Sequence, residues 1–174
     1  MAEPARDAEV VFKQYKGEDE LEQMTELIAR DLSEPYSIYT YRYFTDDFPY
    51  LSFNAWAGDK IVGTIICRQD TDKQGRKKGY IGMLTVNPDF RRRGIASKLI
   101  SLSIDEMKKR FFASVYLDAL TTNVSALNMY ERLGFMRTKY LRSFYQTDED
   151  AYRLKRYLHV EYPPDTHLEQ PHVE

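Results

Sequence analysis

The alternation of apolar and polar residues follows two different periods along this chain, and each period predicts its own kind of element. A period of two places successive side chains on opposite faces of a strand. It predicts strands over residues 10–15, 51–57, 61–69, 80–86, 115–119, 135–145 and 151–158. A period of three to four residues predicts helices over 18–32, 94–110 and 123–133. Ser37 is placed to cap a further, short helix that carries Tyr39 to Phe44.

The order of these elements predicts an α/β fold, with a central mixed sheet and helices on both faces. A Gly58-Asp59-Lys60 turn joins two predicted strands, which indicates an antiparallel hairpin. Residues 70–78 are charged and are predicted to form a loop. The connection from residue 86 through a helix to residue 115 predicts a parallel pair, because parallel strands need a long crossover. We expect one domain over residues 10–158, a flexible leader at 1–9 and a disordered tail at 159–174.

The composition narrows the classes of function. The chain has 174 residues, a formal net charge of −2 and 43% hydrophobic residues, so nothing overall favours a nucleic-acid or membrane partner. It has no apolar run of membrane-spanning length and no signal-peptide pattern at its start, so we expect a cytoplasmic protein. The single cysteine, Cys67, lies in an apolar run and is expected in the core. All three histidines lie at or beyond His159, so carboxylates, tyrosines or water would carry any acid–base chemistry.

Residues 79–96 combine an apolar strand, a basic loop and a helix start. The first backbone N–H groups of a helix have no partner within the helix, and the helix dipole favours an anion there. Gly94 would let that backbone approach a ligand closely, and three arginines add positive charge beside it. The predicted ligand is therefore a polyphosphate, although a basic helix start with solvated arginines remains open.

Two motifs resemble one known superfamily. The sequence Arg91-x-x-Gly94-x-Ala96 after an apolar strand resembles the acetyl-CoA pyrophosphate loop of GNAT acetyltransferases, and residues 123–135 resemble the segment that presents a tyrosine near the thioester sulfur. The resemblance covers about residues 10–158 and implies acetyl-CoA as cosubstrate, without a metal. The implied cofactor contacts are Leu84, Thr85, Val86, Arg91, Arg92, Arg93, Gly94, Ile95, Ala96, Ser97, Asn123, Ala126 and Tyr130.

Residues 31–44, together with 142–145 and 150–155, resemble the NatC-type branch of the N-terminal acetyltransferases. That resemblance implies direct transfer of acetyl to the α-amino group of nascent chains that begin with Met and a hydrophobic residue. It also implies a large auxiliary subunit, a small third subunit and ribosome association. The implied peptide-binding residues are Leu32, Glu34, Pro35, Tyr36, Tyr80, Met83, Phe144 and Tyr145.

Four side chains are candidates for the chemistry. Asp118, with Tyr80 or Glu34 through ordered water, is predicted to accept the proton of the amine. Tyr130 is predicted to protonate the leaving thiolate or to position its sulfur. Backbone N–H groups around Leu84 are predicted to bind the thioester oxygen as an oxyanion hole.

One departure from the NatC-type pattern affects this hypothesis. Where the branch has Glu-Thr-Glu, this chain has Asp118-Ala119-Leu120, so one carboxylate is shorter by a methylene and the other is lost. Two alternatives therefore stay open: a GNAT enzyme that acts on lysine or small amines, and a non-catalytic interaction subunit with the GNAT fold.

Overall fold

The computed structural model describes residues 4–31, 36–145 and 147–158. Within these residues, seven strands form one sheet in the order β1-β2-β3-β4-β5-β7-β6. The strands are β1 Val11–Gln14, β2 Phe53–Ala57, β3 Lys60–Thr71, β4 Lys77–Val86, β5 Ser114–Leu120, β6 Met136–Leu141 and β7 Ala151–Tyr157. The α-helices are α1 Leu21–Asp31, α2 Ile38–Asp47, α3 Ile95–Lys109 and α4 Val124–Arg132. The predicted mixed α/β fold and its order of elements are confirmed.

The helices cover both faces of the sheet, as predicted. Helices α1 and α2 share a core with side chains such as Ile66 and Met83, whereas α3 and α4 pack on the opposite face with Ile65 and Ile81. Adjacent residues such as Ile65 and Ile66 serve different cores because successive strand side chains point to opposite faces. None of the described helices is long and apolar enough to cross a membrane. The predicted tail at 159–174 and residues 1–3 of the predicted leader lie outside the described residues.

The predicted loop at 70–78 is wrong at both ends, because β3 continues to Thr71 and β4 begins at Lys77. The charged residues there sit in a paired hairpin that the sequence pattern alone does not reveal. Its turn is held by the Asp72 carboxylate, which accepts hydrogen bonds from the backbone N–H groups of Gln74 and Arg76, both at 2.9 Å.

The predicted strand 135–145 is too long, because β6 ends at Leu141. The chain then turns back toward β7. Asp150 accepts a hydrogen bond from the Ser143 N–H at 2.8 Å, and the Phe144 N–H donates to the Glu149 carbonyl at 3.0 Å. These local bonds replace strand pairing and place Tyr145 beside the central strands. At the other turn, Ser37 occupies the N-cap of α2 as predicted, but its hydroxyl lies 3.3 Å from that of Thr40 instead of capping the backbone.

Strands β4 and β5 pair only briefly and then separate. Their parallel ladder runs from Lys78 and Ser114 to Tyr80 and Tyr116. Just beyond it, the register of β3 and β4 shifts so that Gly82 has no partner on β3, which is a β-bulge. A Cβ at Gly82 would lie 2.5 Å from the Phe44 ring, so only glycine fits without movement. The bulge and the short ladder together open a cleft between the two strands.

Candidate active site

A cavity of about 970 Å³ occupies the cleft where β4 and β5 separate. Residues 81–86 of β4 form one wall, and residues 117–120 of β5 form the other. Two groups of residues that line the cavity differ in kind: the starts of α3 and α4, and the aromatic side chains of Tyr36 and Tyr145. We call these the donor end and the acceptor end.

The donor end contains the predicted anion site. Gly94 is the N-cap of α3, with a left-handed φ of 73°, and no side chain caps the helix there. Gly94, Ile95, Ala96 and Ser97 all line the cavity, as the motif predicts. The first-turn N–H groups therefore meet the cavity without a competing side-chain acceptor, which suits an anionic ligand.

The three arginines of the loop have different surroundings, although the sequence treats them alike. Arg91 lines the cavity but donates to the Val86 carbonyl at 3.0 Å and to both carboxylate oxygens of Asp31 at 3.0 and 3.1 Å. Arg93 does not line the cavity, because it donates to the carbonyls of Arg6 and Ala8, both at 2.8 Å.

Arg92, the third arginine of the loop, has a left-handed φ of 61°. It lines the cavity and makes no ion pair with any residue in the part of the chain that is described. Of the three arginines predicted to contact phosphate, Arg91 and Arg92 therefore line the cavity, whereas Arg93 binds the N-terminal segment.

Asp31 is a cavity residue that the sequence motifs do not reveal. It ends α1, lines the cavity and accepts hydrogen bonds from the Thr85 hydroxyl and from Arg91. Because these partners lie 54 and 60 positions away, no local motif could reveal the contact. Through these hydrogen bonds Asp31 connects the C-terminal end of α1 to the donor end of the cavity.

The wall of the cavity that β4 forms contains backbone N–H groups that have no strand partner among the described residues on the cleft side. Leu84, Thr85 and Val86, which are predicted cofactor contacts, line the cavity. The described ladder between β4 and β5 ends at Tyr80, so the edge of β4 beyond this point has no strand partner on the cleft side. Backbone N–H groups on such an edge need another acceptor, which a ligand can supply.

Helix α4 and its N-cap carry three of the predicted cofactor contacts. Asn123, Ala126 and Tyr130 line the cavity, and the Asn123 side chain accepts a hydrogen bond from the Ala126 N–H at 3.2 Å. Tyr130 is buried and packs edge-to-face against Phe135, with ring centroids 5.9 Å apart. Burial raises the pKa of the Tyr130 hydroxyl, so it keeps its proton at neutral pH. It makes no side-chain hydrogen bond with the described residues and can donate to a ligand in the cavity.

Asp118 lines the cavity, but it is not a free carboxylate. Arg153 donates from Nε and Nη2 to its two oxygens at 2.8 and 3.0 Å, and only 3% of the Asp118 side chain is exposed. The two residues face each other in the register of β5 and β7. The prediction named Asp118 without this partner, because strand register across 35 positions is not visible in a motif.

Tyr80 is close to Asp118 but does not line the cavity. Its ring lies 4.3 Å from the Arg68 guanidinium and 4.9 Å from the Tyr116 ring. Burial, followed by the Asp118 charge, raises the pKa of Tyr80 to about 12. Tyr80 is therefore a neutral hydrogen-bond donor at physiological pH, and not a base in its ionised form.

The predicted peptide contacts divide into three groups. Tyr36, Met83 and Tyr145 line the acceptor end, and burial raises the pKa of Tyr145 to about 12. Phe144 does not line the cavity; it is 42% exposed and packs on Tyr145, with ring centroids 5.1 Å apart. The remaining predicted contacts, Leu32, Glu34 and Pro35, lie outside the described residues.

A metal site and a cysteine nucleophile have less support in the described part of the chain. No group of three or more His, Cys, Asp and Glu side chains there is arranged to hold a metal. Cys67 is fully buried in the α3 and α4 core, as expected, and burial raises the pKa of its thiol to about 12.

A cleft between two diverging strands, ending at an uncapped helix start, defines the acyl-transferase fold that the two motifs resemble. Residues 21–135 match the acetyltransferase (GNAT) family, and the chain belongs to that family. The resemblance drawn from the residues at 91–96 and 123–135 is thereby confirmed.

More specific relatives are N-alpha-acetyltransferases. The chain is 43% identical to N-alpha-acetyltransferase 30 of Mus musculus over 157 residues, which are 90% of this chain and 43% of the relative. It is also 43% identical to N-alpha-acetyltransferase 30 of Schizosaccharomyces pombe over 133 residues, which are 76% of this chain and 89% of that relative. The chain thus spans less than half the length of the mouse relative and most of the yeast one.

Solved structures agree with these relatives. A chain of the NatC complex bound to Gag peptide and CoA superposes with a TM-score of 0.83 at 37% identity, covering 87% of this chain and 99% of that one. Naa50 of Arabidopsis thaliana, in complex with the bisubstrate analogue CoA-Ac-MVNAL, gives a TM-score of 0.76 at 25% identity. That match covers 84% of this chain and 97% of Naa50.

Proposed function

We propose that this chain is the catalytic part of a NatC-type N-alpha-acetyltransferase. It transfers acetyl from acetyl-CoA to the α-amino group of peptides that begin with Met and a hydrophobic residue. The observation that carries the proposal is one cavity in the cleft between β4 and β5, which is lined both by the uncapped start of α3 and by aromatic side chains. The names of the relatives and the peptide and CoA bound in the NatC structure support it.

The donor end suits the phosphates of acetyl-CoA. The N–H groups of Ile95, Ala96 and Ser97 would bind the diphosphate, and Arg92 would add a charged contact. A Cβ at Gly94 would meet nothing within 4 Å, so there is open space beside that backbone for a ligand. Backbone groups of residues 84–86 would bind the extended arm, and those near Leu84 the thioester oxygen.

The reaction requires one new bond, one broken bond and two proton movements. The amine nitrogen attacks the thioester carbon, so a C–N bond forms and the C–S bond breaks. An α-amino group has a pKa of about 7.7–8.0, so the removal of its proton needs only a modest base. A water molecule held by Asp118 takes that proton and passes one to the Asp118 carboxylate, which releases it to solvent, with Tyr80 beside Asp118 as a neutral donor to the water. Tyr130 supplies a proton to the thiolate and regains one from solvent.

The acceptor end suits an apolar side chain. Ile28, Tyr36, Met83 and Tyr145 line it, and the burial of one hydrophobic side chain among them would stabilise the complex by about 1.5–3 kcal/mol. Leu32, Glu34 and Pro35 belong to the same proposed peptide site. Because aromatic side chains line this end, we expect internal lysines to be poor substrates.

The proposed enzyme acts in the cytoplasm with a large auxiliary subunit and a small third subunit, in association with ribosomes. The NatC complex among the solved structures supports the auxiliary subunits. Co-purification of the tagged chain tests this proposal: recovery without either subunit and without ribosomes would contradict it.

A peptide panel tests the activity. The purified chain is assayed with acetyl-CoA and peptides that differ only at the residue after Met, alongside a histone-tail peptide and a polyamine. We expect Met-Leu and Met-Ile peptides to be acetylated fastest. Faster acetylation of the histone tail or the polyamine would favour a lysine or small-amine enzyme. Failure to bind acetyl-CoA in calorimetry would favour a non-catalytic interaction subunit.

A further inference from the structure

A row of charged and aromatic side chains crosses four strands beside the acceptor end of the cavity. Arg68 of β3, Tyr80 of β4 and Tyr116 of β5 are direct cross-strand partners. The guanidinium of Arg153, from β7, lies 4.8 Å from the Tyr116 ring. With the carboxylates at its two ends, the guanidinium–tyrosine row consists of Asp70, Arg68, Tyr80, Tyr116, Arg153 and Asp118.

Every charge in the row has a partner. Asp70 accepts hydrogen bonds from Arg68 Nε at 2.9 Å and from the Tyr116 hydroxyl at 2.5 Å. Burial acts to raise the pKa of Asp70, but these two hydrogen bonds lower it below its ordinary value. At the other end, Arg153 binds both oxygens of Asp118. Partly buried ions remain stable only when they are paired in this way.

The guanidinium–tyrosine row lies at the point where β4 and β5 separate to form the cleft. Tyr80 and Tyr116 form the last pair of the ladder between β4 and β5. Asp118 lies two residues further along β5, on the same face as Tyr116, where no pairing to β4 remains. Arg153 contacts both the Tyr116 ring and the Asp118 carboxylate, so it joins the last pair of the ladder to the diverging end of β5.

We propose that Arg153 is a positioning residue, which holds the Asp118 carboxylate at one distance and orientation relative to β4. This inference rests on the proposed function, because it assigns the position of the carboxylate that binds the proton-accepting water. The planar guanidinium fixes both oxygens at once, which the single ammonium of a lysine cannot do. The remaining lone pairs of the carboxylate stay available to water in the cavity.

A double-mutant cycle tests whether Arg153 acts through Asp118. The variants Arg153→Gln, Asp118→Asn and the double variant are assayed with acetyl-CoA and a Met-Leu peptide. We expect Arg153→Gln to lower kcat by about 100-fold while the KM for peptide changes little, because a misplaced group loses rate more than binding. The double variant should be no slower than Asp118→Asn, and Arg153→Lys should recover part of the loss. Losses that multiply in the double variant would overturn the proposal.

Hydrogen exchange provides a readout that does not depend on activity. Lys155→Gln is the matched control, since Lys155 lies on the same strand and face but contacts the Tyr157 ring instead of Asp118. We expect faster amide exchange at residues 81–84 and 117–120 in Arg153→Gln than in this control. If that difference appears and the wild-type chain acetylates no peptide, the proposed function fails and the positioning role stands. Equal exchange in the two variants overturns the positioning role, whatever the activity.

Discussion

The donor end and the acceptor end of the cavity are built in different ways. The donor end consists mainly of backbone from one continuous segment, residues 84–97, with a helix start that no side chain caps. The acceptor end consists of side chains from α1, from the residue before Ser37 at the start of α2, from β4 and from the turn before β7. Backbone from one segment tolerates changes in side chains, whereas a side-chain site depends on pairs that join distant parts of the chain. The two ends should therefore respond differently to substitution.

The largest effect is expected at Tyr130, which lines the cavity on α4 and is influenced electrostatically by Tyr145. Replacement of Tyr130 by Phe removes the hydroxyl that we assign as the acid and leaves the ring packed on Phe135. We expect kcat to fall by about 100- to 1,000-fold, within the range of general-acid contributions, with little change in acetyl-CoA affinity. Steady-state kinetics and calorimetry measure the two quantities. A fully active Tyr130→Phe enzyme would exclude the hydroxyl as the acid.

A methyl group at the bulge should disturb the acceptor end through packing. Gly82→Ala would place a Cβ 2.5 Å from the Phe44 ring, and overpacking of this kind costs about 1–3 kcal/mol in the free energy of unfolding. Gly17→Ala is the control, because its Cβ would meet nothing within 4 Å. Urea denaturation measures both variants. The further change Phe44→Leu should recover part of the loss, and no recovery would mean that this contact is not the cause.

A smaller effect is expected at the donor end. There the loss of acetyl-CoA affinity should differ between variants of the neighbouring residues Arg92 and Arg93. Arg92→Ala should weaken acetyl-CoA binding by about tenfold, as the loss of one charge-assisted contact does, and the loss should shrink at high salt. Arg93→Ala should change the affinity much less, because Arg93 binds the carbonyls of residues 6 and 8. Calorimetry at two salt concentrations measures both. An equal loss in the two variants would contradict the different roles assigned to them.

The smallest effect is a change of stability at high pH. Burial raises the pKa of Tyr80 and Tyr145 to about 12, above the ordinary value of 10.0. The unfolded chain therefore loses these protons first, so the stabilisation is complete below pH 10 and is lost as the pH rises toward 12. Urea midpoints between pH 8 and pH 11 should be level at first and then fall. The fall should be shallower in Tyr80→Phe; an unchanged slope would show that Tyr80 does not contribute.

The donor end could be predicted because its parts are adjacent in sequence. A strand, an arginine loop, Gly94 and an apolar helix face follow one another in one motif, and a second motif at residues 123–135 describes the part that α4 contributes. The order of helices and strands was predictable for the same reason, since each period belongs to one local element. The charged hairpin at residues 70–78 could not be predicted in this way. Its strands pair with each other, but they lack the alternation of apolar and polar residues on which the prediction of a strand depends.

The amino-acid sequence by itself determined the α/β order, the GNAT family and the helix start at Gly94. The tertiary structure alone decided that Arg91 binds Asp31, that Arg93 faces away from the cavity and that Arg153 binds Asp118. Periodicity and motifs report a residue's local conformation and the face on which it lies. Which distant charge it meets depends on sheet register and helix packing, and these are set only when the whole core closes.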